Sequence, residues 1–194
     1  GWTKQQFLRA AAQLDGIYVP GLYEVDYNAD GTVKSITPKD GAPKVVTKRI
    51  MRDMDKAVAR IDRALTGGET IAVFGDYDVD GITSTCLLTD CLTRLGGRVR
   101  SYIPDRLEEG YGLNLAAMDT IKARGASLIV TVDCGITAAQ EAGYAASLGM
   151  DMVITDHHEC GACPLPAAVA VVDPKRPGSR YPNADLAGVG VAFK

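Results

Sequence analysis

Three short stretches concentrate the reactive side chains of this 194-residue chain. Gly75-Asp76-Tyr77-Asp78-Val79-Asp80-Gly81 puts three carboxylates into five residues. Asp133-Cys134-Gly135 adds another, and Asp156-His157-His158-Glu159 brings two more acids together with both histidines of the sequence. Crowded carboxylates repel one another and bind protons more tightly unless cations neutralise them. Asp oxygens mixed with imidazole nitrogens form a donor set suited to Mn²⁺ or Mg²⁺ rather than to a thiolate-loving metal. The number of donors suffices for two ions about 3.5–4 Å apart, the arrangement that activates water and clamps an in-line phosphoryl displacement. Singly, each residue has a plainer use. Asp80 before Gly81-Ile82-Thr83 would serve as a helix N-cap, and a His-His pair is commonly structural.

The case rests on where the three stretches fall. Thr70 to Gly75 is a β-rich apolar run too short for a helix, and Ser127 to Val132 is apolar on both faces, as a central parallel strand should be. Met152 to Thr155 reads as another strand, with Arg98 to Ile103 and Ala168 to Val172 completing five. Between them lie helical spacings: Met54, Val58, Ile61 and Leu65; Thr85, Leu88, Leu92 and Leu95; Asn114 to Ala123; and Ala138 to Leu148. Such alternation predicts an α/β fold, an open and mostly parallel sheet with helices on both faces. In a parallel sheet all three reactive stretches follow strands, so all lie at the carboxyl edge, where open α/β folds bind ligands.

Residues 1–52 have a different texture. Lys4 to Leu14 predicts a short helix. Tyr23, Val25 and Tyr27 alternate with acids, Asn28-Ala29-Asp30-Gly31 is a turn, and Thr32 to Thr37 returns as a second strand. This small helix-plus-hairpin segment holds no His, Cys or carboxylate cluster, and it reads as a structural or docking lead-in to residues 53–194. The whole chain has a net charge of −3, with 46% hydrophobic and 23% charged residues. Those are ordinary globular proportions that exclude wholesale disorder and offer no global basic field for nucleic acid. Polyanion attraction would have to be local, through metals or a small basic patch. No apolar run approaches a membrane span, and five cysteines in a chain of this size predict a reduced, cytoplasmic protein.

In order, GDYDVDG, VTVDCGI and VITDHHE resemble the first three motifs of the DHH phosphoesterase superfamily. Tyr102 to Asn114 (YIPDRLEEGYGLN) and Leu186 to Lys194 (LAGVGVAFK) are similar to its RecJ-like exonuclease branch, so the resemblance runs from about Asp53 to Lys194. It implies metal-dependent hydrolysis of single-stranded DNA in the 5′–3′ direction, with water as nucleophile and no covalent enzyme intermediate. By the same resemblance Asp76 and Asp78 would hold one of two Mn²⁺ or Mg²⁺ ions. Asp133 would bridge to the second, shared with Asp80 and His157. His158 would face the scissile phosphate, and Asp156 would orient the histidine pair. A fourth motif lies beyond LAGVGVAFK in this superfamily, which implies weak activity for residues 53–194 alone. Two alternatives remain open: a phosphodiesterase for short oligonucleotides or cyclic dinucleotides, and a non-catalytic nucleic-acid-binding module. Residues 1–50 resemble instead the connecting segment of B12-binding radical-SAM proteins, without that family's cysteine cluster, so the segment is assigned no activity.

Three further features complete the reading. Arg106 would hold a phosphate or pair with Glu108 or Glu109. Lys175, Arg176 and Arg180 form a dense basic stretch, which is either a solvated loop or, through Arg176, a contact to the DNA backbone. Cys160-Gly161-Ala162-Cys163 lacks the second cysteine pair of a tetrahedral zinc site. Cys134 reads as a small buried residue rather than a nucleophile.

Overall fold

Strand residues that are apolar on both faces need cover on both faces, and the sheet obtains it by alternation. In this computed structural model, which describes residues 1–105 and 112–194, the chain divides into two units, Gly1–Ile50 and Met51–Lys194. The larger unit is built on β3 (Thr70–Gly75), β4 (Arg98–Tyr102), β5 (Leu128–Val132), β6 (Asp151–Thr155) and β7 (Ala170–Val172). Their order is β4-β3-β5-β6-β7, and every pairing is parallel.

Successive strand side chains point to opposite faces. Ala72, Phe74, Ile129, Met152 and Ile154 therefore pack on one side, against α4 (Leu115–Ala123) and α5 (Ala139–Ser147). Ile71, Val73, Val130, Val132 and Val153 pack on the other, against α2 (Met54–Thr66), α3 (Val79–Arg94) and α6 (Gly188–Phe193). The expected α/β architecture with helices on both faces is the one observed. The chain leaves β3 toward β4 on one side and returns to place β5 on the other. The carboxyl ends of β3 and β5 thus flank the point where strand order reverses, the usual crevice of such sheets.

The smaller unit has α1 (Lys4–Ala11), closed by a capping box between Thr3 and Gln6, and the antiparallel hairpin of β1 (Tyr23–Tyr27) and β2 (Val33–Pro38). Its helix ends at Ala11, three residues before the Leu14 expected from the sequence. Its buried apolar side chains are few: Ala12, Val19, Leu22 and Ala42. Among the described residues no helix is long and apolar enough to cross a membrane.

Candidate active site

Each cluster is set by local backbone chemistry. Asp76 directly follows β3 and is buried, its carboxylate accepting the Tyr77 N–H at 2.7 Å. Asp78 is the N-cap of α3, accepting the Gly81 N–H at 2.9 Å, so the capping role that the sequence offered to Asp80 belongs to Asp78. This cap starts α3 six residues before Thr85, the first position of the expected apolar face. Gly75 makes the sharp entry possible: a Cβ there would lie 1.9 Å from Thr85 Oγ1. Asp80, freed from capping its own helix, reaches across to α6. It accepts the N–H groups of Gly188 and Val189 at 2.7 and 2.8 Å.

After β5 the chain turns with Asp133 at φ +61°, a left-handed conformation that Asp tolerates better than most residues. The Thr131 hydroxyl donates to the Cys134 carbonyl at 2.8 Å and pins the turn. Asp133 is 1% exposed, and Gly188 lies so close that a Cβ there would meet Asp133 Oδ1 at 2.5 Å. Cys134 is buried, and its thiol pKa is pushed well up by that burial and by the surrounding carboxylates.

Asp156, after β6, is an acceptor hub. Its Oδ1 takes the N–H groups of His157 and His158 at 2.7 and 3.2 Å and stands 2.8 Å from His158 Nδ1. Its Oδ2 takes the Ile136 N–H at 2.8 Å. With Nδ1 engaged, His158 has Nε2 as its remaining ring nitrogen. Burial pulls the His158 pKa down, but the hydrogen bond and charge of Asp156 outweigh it and the net shift is upward. His157 turns the other way, its Nε2 3.0 Å from Asp133 Oδ1 and 3.6 Å from Asp80 Oδ2. A recess of about 370 Å³ opens beside His158, lined also by Ile136, Glu141 and Asp156.

Asp133 Oδ1 is buried, and despite its closeness to His157 Nε2 it has no aligned hydrogen-bond donor. Burial first, then the charges of Asp80 and Asp78, push the Asp133 pKa up to about 7. Ligand atoms of Asp133, His157 and His158 lie within 4.8 Å of one another. An orphaned buried carboxylate oxygen among imidazole nitrogens fits a divalent cation of the Mn²⁺ or Mg²⁺ type. Asp76, Asp78 and Asp80 form no second group at that spacing among the described residues.

Two sequence expectations need revision or addition. Arg176, expected at a phosphate, is 8% exposed and ion-paired with Asp53 at 2.6 Å, and it also donates to the Val171 carbonyl. It pins the loop after β7 to the start of α2, and this guanidinium is engaged inside the protein rather than offered to solvent. Asp173 was missed. It follows β7 as the other acids follow their strands, is fully buried, and has an unpartnered Oδ2. Burial raises its pKa to about 6. The strand-end rule that found Asp133 applies to Asp173 as well. Arg106 lies outside the described residues. Cys160 is buried and Cys163 exposed, and neither joins the candidate ligand group.

Fold and site together define an open parallel α/β domain that gathers carboxylates and imidazoles on one rim, the donor set of a divalent-metal protein. The DHH family, N-terminal domain, matches residues 70–194, and the chain belongs to that family. The single-stranded-DNA-specific exonuclease RecJ of Bacillus subtilis (strain 168) is 53% identical over 144 residues, covering 74% of this chain and 18% of that protein. The RecJ of Escherichia coli (strain K12) is 44% identical over 141 residues, covering 72% and 24%. This chain therefore spans roughly a fifth to a quarter of those relatives' length. A crystal structure of exonuclease RecJ bound to manganese superposes with a TM-score of 0.65 at 36% identity, over 75% of this chain and 36% of that one. RecJ from Thermus thermophilus in complex with Mn²⁺ gives 0.61 at 30% identity, over 77% and 21%.

Proposed function

We propose that residues 53–194 form a DHH domain carrying the metal centre of a RecJ-like 5′–3′ exonuclease, a cytoplasmic enzyme that hydrolyses phosphodiester bonds of single-stranded DNA. The observation that carries this reading is Asp133 Oδ1, buried without a hydrogen-bond donor beside His157 Nε2, in a chain whose relatives are single-stranded-DNA-specific exonucleases. Asp133, His157 and Asp80 would hold one divalent ion, and Asp76 and Asp78, sharing Asp133, a second. Such ions supply an activated water and neutralise charge on the phosphate.

The remaining roles belong to the chain's own groups. Asp156 commits both oxygens to the backbone and to His158 Nδ1, so it positions both imidazoles. With Nδ1 held by Asp156, His158 has Nε2 left for a substrate, as a donor in the protonated imidazole. That donor would serve a phosphate oxygen as charge builds on it. Buried Asp76 and the α3 N-cap fix the backbone from which Asp78 and Asp80 project.

Calorimetric titration with Mn²⁺ tests the centre. The wild-type chain should bind Mn²⁺, and Asp133→Ala should weaken that binding by at least about 100-fold, beyond the loss typical of an outer-shell residue. No binding by the wild type, or unchanged binding by the variant, overturns the proposal. Release of mononucleotides from 5′-labelled single-stranded DNA, dependent on Mn²⁺ and absent in Asp133→Ala, checks the reaction.

A further inference from the structure

Without bound cations the carboxylate-rich rim repels a polyanion, and Arg176, the residue singled out for a DNA contact, is engaged by Asp53, so attraction for a nucleic-acid chain needs other cations. The sheet assembles a basic surface that the sequence does not show as a cluster. Among the described residues β4 is an edge strand, paired only with β3. Its register sets Arg98 beside Thr70, Arg100 beside Ala72 and Tyr102 beside Phe74, so these three share the face that carries α4. Arg124, the C-cap of α4, lies over the Tyr102 ring at 5.5 Å and lines one shallow recess with Arg100. Arg98, Arg100 and Arg124 are exposed, and none forms an ion pair among the described residues.

Arginines on an edge strand also deter strand-to-strand association. That use accounts for Arg98 and Arg100 but not for Arg124, which comes from a different element and is brought beside Arg100. Tyr102 is stacked on Phe74 at 5.4 Å with Arg124 packed against it as well, so it props the guanidinium rather than receiving a base. The recognition chemistry left is charge alone. Guanidinium groups two strand residues apart, about 6.6 Å, suit successive phosphates of an extended strand.

We propose that Arg98, Arg100 and Arg124 form a sequence-independent binding strip for the phosphate backbone of single-stranded DNA, outside the metal centre. β4 points this strip toward the rim, because its carboxyl end lies level with that of β3, which carries Asp76. The choice of DNA as occupant rests on the function proposed above.

The test is fluorescence anisotropy with a labelled oligodeoxythymidylate in EDTA, across a salt series, so that the metal centre takes no part. Charge reversal in R98E/R100E/R124E should weaken binding at least about tenfold and lower the slope of log K against log salt by about 2, as three lost phosphate contacts require. R98Q/R100Q/R124Q should move in the same direction by less, and melting curves establish that each variant folds. The charge-matched K44E/K48E/R180E should bind like the wild type. Undiminished binding by the Glu triple, or equal loss in the control, overturns the strip. Equal affinity for an oligoglutamate of the same charge would assign the surface to acidic peptides and overturn it too. Mn²⁺ calorimetry reads the metal centre separately, so loss of one proposal leaves the other standing.

Discussion

At the amino ends of the strands, buried Arg60 lies between Glu69 and Asp151, with its Nη2 2.7 Å from Glu69. Arg63 adds a second cation to Asp151 at 3.2 Å, and Ser127 donates to Glu69. At the carboxyl ends Asp76, Asp78, Asp80, Asp133, Asp156 and Asp173 have no Lys or Arg ion pair among the described residues; Asp80, Asp133 and Asp156 face histidines instead. The pKa shifts follow. Glu69 is held low by Arg60 and Ser127, whereas Asp133 and Asp173 are pushed up by burial. One end meets its carboxylates with arginines, and the other crowds them together without one.

Breaking the satisfied end should have the largest effect. Arg60→Met leaves Glu69 without its cation and Asp151 with Arg63 alone, and should cost about 3 kcal/mol in urea unfolding, the upper range for lost hydrogen bonds to charged groups. A loss below about 1 kcal/mol would mean that the amino end is not held by its ion pairs. At the other end, Asp156→Ala should leave the fold intact yet lower Mn²⁺ affinity by 10- to 100-fold, about 1.4–2.7 kcal/mol, because the imidazoles lose their anchor. Unchanged affinity would reduce Asp156 to a turn residue.

Asp173 sharpens the contrast through pH. Its folded-state pKa, about 6, exceeds the ordinary 3.8, so the folded protein holds the proton more tightly. Stability from this group is full below pH 4 and declines as pH rises through 6. Asp173→Asn should therefore raise stability by about 1–2 kcal/mol at pH 8 and by nothing at pH 4. A gain at both values would point to packing instead. The smallest effect belongs to Arg63→Ala, within about 0.5 kcal/mol, because Arg63 is 67% exposed in its pair with Asp151.

Much of the fold was legible because buried parallel strands are written as continuous apolar runs. Thr70–Gly75 appears in the structure with the bounds read from its sequence, and β5 and β6 differ by one residue. The convergence of Asp133 and His157 followed from strand ends alone. What escaped is what depends on partners distant in the chain. Nothing local says that Arg176 will be consumed by Asp53, 123 residues away, or that Arg124 will stand beside Arg100. The six-residue α6 went unread because Gly188 and Gly190 obscure helical periodicity, and its amides matter through tertiary contact with Asp80.

Asp80 meets its amide donors only after the chain has closed a loop of 108 residues. Entropy of closure is only weakly sensitive to such a length, so the cost is modest, but the order of events is imposed. A polypeptide still emerging from the ribosome cannot complete the acidic pocket until residue 189 is free, and unseating α6 would be felt at Asp80. Assembly of the acidic rim is thereby tied to the seating of a helix distant in sequence.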